Sequence, residues 1–135
     1  MEFLKELGGP KEAAKTEIVR KNIETYFQKA VAAKTYICWM AMAEDSVAGL
    51  GGMVIREQPA KFACPNGLTG YVMNMYTLPE YRKQGICAAL LEKLTETAKE
   101  MHLHSLELHA TPEGEPLYRK CGFKEPKSIV LDRVL

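Results

Sequence analysis

An α/β domain built on a mixed sheet is the fold class the sequence predicts, and three observations predict it. Two apolar runs of strand length, Tyr36–Ala43 and Val47–Ile55, flank a short polar turn, as the arms of an antiparallel hairpin do. Further on, strand-like Gly70–Thr77 gives way to a helical period, with apolar Cys87, Leu90, Leu91, Leu94, Ala98 and Met101 on one face. A short strand-like segment, Ser105–His109, follows that helix. Strand, helix and strand in this order form a βαβ crossover, which requires parallel strands and a right-handed connection. The sheet is therefore mixed but mostly antiparallel, with the crossover at its centre and helices on both faces.

Each element follows from local pattern. Met1–Leu7 suits one or two helical turns, closed by Gly8-Gly9-Pro10. Over Lys11–Lys34, Ala14, Ile18, Ile23, Phe27, Ala30 and Val31 recur at helical spacing against a charged opposite face. Tyr36–Ala43 is apolar at every position, the pattern of a strand buried on both sides. Glu44-Asp45-Ser46 is the turn, and the glycines Gly49, Gly51 and Gly52 in the next strand signal a bulge or a close backbone approach. A loop with Pro59, Pro65, Asn66 and Gly67 leads to the third strand. The central helix starts near Gly85 and runs to about Met101, Glu115–Cys121 is a short helix ended by Gly122, and Ser128–Val134 looks like a last strand. No internal repeat or linker divides the chain, so residues 1–135 read as one domain.

Composition narrows the function. The 135 residues are 47% hydrophobic and 26% charged, an ordinary globular balance. A net charge of +1 gives no bulk attraction to nucleic acid or to an anionic membrane. The longest apolar run, Tyr36–Ala43, falls far short of the roughly 20 residues of a spanning helix. No secretory leader is read at the start. Cys38, Cys64, Cys87 and Cys121 are scattered, with no CxxC pair and no histidine at ligand spacing. The expectation is a cytoplasmic protein with free thiols and no metal.

Chemistry concentrates in Met75-Tyr76-Thr77-Leu78-Pro79-Glu80-Tyr81-Arg82-Lys83-Gln84-Gly85-Ile86-Cys87-Ala88. A strand ends, a basic loop follows, and a glycine opens a helix. Unpaired N–H groups and the positive end of the helix dipole make such a start an anion site. Gly85 permits close backbone approach, and Arg82 and Lys83 add charge. The pattern is neither a Walker loop nor a GxGxxG fingerprint, so it points only to a phosphate-bearing cofactor. The plain alternative is a strand-to-helix loop with solvated charges.

Arg82-x-x-Gly85, with Pro79-Glu80-Tyr81 before it and Ala88-Ala89-Leu90-Leu91 after it, resembles the signature loop of GNAT acetyltransferases. Leu117-Tyr118-Arg119-Lys120-Cys121-Gly122-Phe123 resembles the same family's LYxKxGF element. The likeness runs from about Tyr36 to Phe123. It implies the GNAT fold, with acetyl-CoA held between the two parallel strands and an acetyl group passed to a primary amine. By position, the backbone of Lys83, Gln84, Gly85, Ile86, Cys87 and Ala88 would hold the pyrophosphate beside Arg82, and Met75, Tyr76 and Thr77 would pair with the pantetheine arm. The chain departs from the family at three points. Cys87 stands where Gly or Ala is usual, and Thr111 stands where a cofactor-contacting Asn is frequent. The family's first strand has no counterpart, which would leave a sheet edge to be covered, shortened or paired in a homodimer.

Direct attack by a neutral amine needs a proton acceptor, a donor to the developing oxyanion and an acid for the leaving thiolate. The resemblance assigns the donor to a backbone N–H near Met75–Tyr76 and the acid to Tyr118, whose plainer role is packing. A phenol of pKa about 10 is protonated at neutral pH and can serve a thiolate of pKa about 8.5. Glu107 and His109 are candidate bases, each equally readable as a solvated surface group. Asn74, polar inside a strand, either orients substrate or water or satisfies the backbone. Tyr76, Trp39 and the methionines at strand spacing read as core, and Cys87 has no partner that would make it a nucleophile. Arg56–Thr69 is the loop expected to meet the acceptor, whose identity the sequence leaves open among small molecules and peptides. The alternative function is a non-catalytic acyl-CoA-binding or regulatory domain on the same fold.

Overall fold

In the computed structural model, which describes residues 13–135, the sheet has four strands in the order β1-β2-β3-β4. They are β1 (Tyr36–Ala43), β2 (Ser46–Glu57), β3 (Leu68–Thr77) and β4 (Leu106–Glu107). The helices are α1 (Ala13–Ala32), α2 (Ile86–Glu100) and α3 (Glu115–Lys120). β1, β2 and β3 pair antiparallel, and β3 pairs parallel with β4 across α2. The predicted mixed sheet with a central βαβ unit is thus present. The turn expected over Met1–Leu7 lies outside the described residues. No described helix is long and apolar enough to cross a membrane.

Alternation sorts side chains between the two faces of the sheet. On one face, Met53 and Val72 meet Leu91, Leu94 and Ala98 of α2, and Ile37 packs against this cluster. The apolar stripe of α2 is the stripe its periodicity predicts. On the other face, α1 covers Tyr36, whose ring lies 4.6 Å from that of Phe27.

Three predicted strands change character. β1 is not buried on both sides: Met40, Met42 and Trp39 are exposed by 57%, 58% and 38%. It is the edge strand among the described residues, and α1 covers only its Tyr36 end. Trp39 instead reaches α2, where its Nε1 donates to Thr97 Oγ1 at 2.9 Å. Ser128–Val134 forms no strand. Its apolar residues Ile129, Val130 and Leu131 are exposed and pair with nothing in the sheet, because β4 is too short to offer them a ladder. Ser105–His109 likewise shrinks to Leu106–Glu107, since the chain parts from β3 beyond that point.

Candidate active site

Two local events open the sheet. β3 and β4 pair at Gly70↔Leu106 and Tyr71↔Glu107, and among the described residues the parallel ladder stops at Tyr71. On its other side the register slips: Gly52 faces Met73 and Leu50 faces Tyr76, so Asn74 and Met75 together oppose Gly51. This is a β-bulge, and Asn74 takes the left-handed conformation it demands, φ 59°. Asparagine tolerates that region better than other side-chain-bearing residues. The glycines of β2 fit this packing. A Cβ on Gly51 would lie 2.6 Å from Met75 Sδ, and one on Gly52 would lie 1.9 Å from Tyr36 Oη.

β3 then leads into a 3₁₀ turn, Pro79–Tyr81, and a basic loop. Arg82 folds back so that its Nε donates to the Thr77 carbonyl at 2.9 Å, and its guanidinium lies 5.6 Å from the Tyr76 ring centroid. Gln84 Nε2 donates to the Glu80 carbonyl. Lys83 and Gly85 both have positive φ, 62° and 82°, which turns this stretch into a concave run of amides. The first bond into α2 is Ala89 N–H to Gly85 O at 3.0 Å. Among the described residues, the N–H groups from Lys83 to Ala88 have no hydrogen-bond acceptor. A Cβ on Gly85 would meet nothing within 4 Å. The loop is therefore an open anion cradle that carries two cations and a helix N-terminus, and it suits a pyrophosphate.

Tyr118 stands on α3, half-buried, with its ring 6.2 Å from Phe123 in an edge-on contact. Burial pushes its hydroxyl above the usual 10.0, and the Cys87 and Cys121 thiols act in the same direction. Burial also raises the Cys87 thiol, the reverse of what an activated nucleophile shows. Thr111 accepts the Gly114 N–H through its carbonyl and Oγ1, at 3.0 and 3.3 Å, so it shapes the turn into α3.

Glu107 and His109 come together with a residue the sequence did not single out as a partner. Glu107 lies 3.8 Å from Arg56 and 3.6 Å from His109. Arg56 stacks over Tyr71, whose ring also meets His109 edge-on. This exposed cluster sits where β3 and β4 separate. Its Tyr71 lies four positions before Met75, about 13 Å at some 3.3 Å per residue, so the carboxylate stands well away from the bulge.

Beside the bulge, on the α1 face, is a cavity of about 340 Å³. Val19, Asn22, Ile23, Tyr26 and Phe27 of α1 line one wall, and Met73 and Asn74 line the other. Asn74 Nδ2 donates to Tyr36 Oη at 3.1 Å. The segment expected to meet the acceptor, Arg56–Thr69, lies at the far end of the β2–β3 hairpin, and none of its residues lines this cavity.

The acetyltransferase (GNAT) family model matches residues 5–123. The chain belongs to the GNAT acetyltransferase family. A crystal structure of a predicted acetyltransferase with acetyl-CoA from Clostridium acetobutylicum is 27% identical, with a TM-score of 0.78 over 92% of this chain and 77% of that one. A GCN5-related N-acetyltransferase from Ralstonia eutropha shares the fold at 22% identity and a TM-score of 0.79, over 91% of this chain and 81% of that one. Among curated proteins, "Probable glucosamine 6-phosphate N-acetyltransferase 2" from Oryza sativa subsp. japonica is 29% identical over 63% of this chain. The chain spans about half, 49%, of that relative's length.

Sequence reading missed the α1 wall of the cavity. Val19, Ile23 and Phe27 share the apolar stripe of an ordinary surface helix, so nothing in the pattern separated lining from core. A usable signal was Tyr26-Phe27, where an aromatic falls off the stripe. Met73 also leaves the core that strand spacing assigned to the methionines.

Proposed function

We propose that this acetyltransferase moves an acetyl group from acetyl-CoA to a primary amine by direct attack. The observation that carries the reading is the run of acceptor-free amides from Lys83 to Ala88, set beside the gap between β3 and β4. Bound there, acetyl-CoA would supply an activated carbonyl on a thiol leaving group. Arg82, Lys83 and the loop amides neutralise and orient the pyrophosphate. The edge of Met75, Tyr76 and Thr77 that faces away from β2 would pair with the pantetheine amides, and a backbone N–H at Met75–Tyr76 would polarise the carbonyl. Tyr118 gives its proton to the departing sulfur, since a phenol is protonated at neutral pH. The amine loses its proton to water ordered by Glu107 and His109, which is the role their distance from the bulge leaves them.

Tyr118→Phe tests the reading. Thiol release from acetyl-CoA should fall by about 10²–10³ while the affinity for acetyl-CoA is unchanged. A variant with full turnover would remove Tyr118 from the chemistry. A wild-type protein that binds acetyl-CoA and transfers nothing would instead be a non-catalytic acyl-CoA-binding domain.

A further inference from the structure

We propose that the acceptor is a primary amine on a compact, uncharged apolar body, an arylalkylamine or branched alkylamine, seated between α1 and β3. The inference rests on the acetyltransferase reading and adds the substrate class. Three observations carry it. The cavity adjoins the Asn74–Met75 bulge, so an amine seated in it points at the place where the acetyl carbonyl is polarised. Its volume of about 340 Å³ is at the low end for ligand sites, which suits a small body and excludes an oligosaccharide. Among the described residues its lining carries no charged side chain: apolar Val19, Ile23, Phe27 and Met73 make most of the wall, and Asn22, Tyr26 and Asn74 supply the polar atoms. A phosphate, a carboxylate or a second ammonium on the acceptor would lose water there and gain no counter-charge. The ion pair on α1 beside it, Arg20 with Glu17, is closed within itself, as is the Arg56–Glu107–His109 cluster.

Asn74 gives the cavity its direction. The bulge holds it at φ 59°, and its Nδ2 is committed to Tyr36 Oη. Tyr36 is itself only 8% exposed, pinned between Phe27 and Gly52. The remaining amide oxygen, which has no donor among the described residues, is the acceptor for an amine N–H in a mostly apolar site. An amide anchor beside a mostly apolar wall selects one amine on an apolar body.

The test compares 2-phenylethylamine, isopentylamine, spermidine and glucosamine 6-phosphate as acceptors, with thiol release as the readout. The apolar monoamines should exceed the other two in kcat/KM by at least about tenfold. Without acetyl-CoA, 2-phenylethylamine should shift the NMR signals of the Asn74 side-chain amide and the Ile23 methyl groups, and spermidine should not. Val19→Glu places a carboxylate at the rim of the cavity from a helix position 47% exposed, so folding is preserved. It should lower kcat/KM for 2-phenylethylamine and raise it for spermidine, with acetyl-CoA affinity unchanged. Preference for spermidine or glucosamine 6-phosphate, or turnover of none of the four by a protein that binds acetyl-CoA, overturns the substrate class alone. Failure to bind acetyl-CoA overturns the reading beneath it.

Discussion

Gly52→Ala probes the joint between sheet, helix and cavity. The added Cβ would stand 1.9 Å from Tyr36 Oη, 2.5 Å from Cζ and 2.8 Å from Cε2, all inside the 3.0 Å that real Cβ contacts respect. The ring has little freedom to yield. It is 8% exposed, rests 4.6 Å from Phe27, and takes a hydrogen bond from Asn74 at 3.1 Å. Overpacking costs about 1–3 kcal/mol, and losing the hydrogen bond adds about 0.5–1.5 kcal/mol. A total of about 2–4 kcal/mol corresponds to a melting point lower by roughly 6–15 °C for a domain of this size. Urea and thermal unfolding followed by circular dichroism measure both quantities. In a Tyr36→Ala background the ring is gone, so Gly52→Ala should then cost no more than about 0.5 kcal/mol. A single variant within about 0.5 kcal/mol of wild type, or strict additivity in the double variant, would refute the reasoning.

The remaining predictions concern the cradle and the titrating groups. Gly85→Ala forces a side chain into φ 82°, which costs about 1–2 kcal/mol, and puts a methyl where the pyrophosphate approaches. Titration calorimetry should show acetyl-CoA affinity reduced by about tenfold or more. Because burial raises Tyr118, activity should persist past pH 10.0 before the acid is lost, and the limb should vanish in Tyr118→Phe. Stability should also fall in alkali. Burial raises Cys38 and Cys87 above 9.0 and Tyr36 and Tyr118 above 10.0. The unfolded chain therefore gives up these protons first, so it holds fewer than the native state and unfolding becomes easier as pH rises. The stabilisation is complete below about pH 9 and drains away as pH climbs through the native values; melting points across pH 7–11 that rise or stay level would contradict this.

How much of the molecule the sequence disclosed depended on whether a signal was local. Helix α2 was legible because Leu90, Leu91 and Leu94 carry the period of one buried face, and the cradle was legible because Arg82 and Gly85 sit within one turn. The bulge was foreshadowed by Gly49, Gly51 and Gly52, but its site on β3 is a matter of register between strands. Tyr36–Ala43 misled for a related reason. Apolarity on both faces looks the same in a central strand and in an edge strand left bare, and only the pairing tells them apart. Ser128–Val134 carries the β-branched apolar run of a strand yet finds no partner strand. The cavity depends on α1 crossing Met73 and Asn74, and the Arg56–Glu107–His109 cluster on β2 and β4 meeting across β3, so neither exists in any single window of the chain.

The measurement that bears most directly on the account is thermal melting with and without acetyl-CoA, with free CoA and desulfo-CoA for comparison. At 100 times its dissociation constant the ligand should stabilise the fold by about 2.7 kcal/mol, which raises the melting point by roughly 6–12 °C. Free CoA and desulfo-CoA carry the same pyrophosphate and should produce shifts of the same order. An unchanged melting point with all three would mean that the amides of Lys83–Ala88 do not form a pyrophosphate cradle, and the acetyl-transfer reading would fall with them.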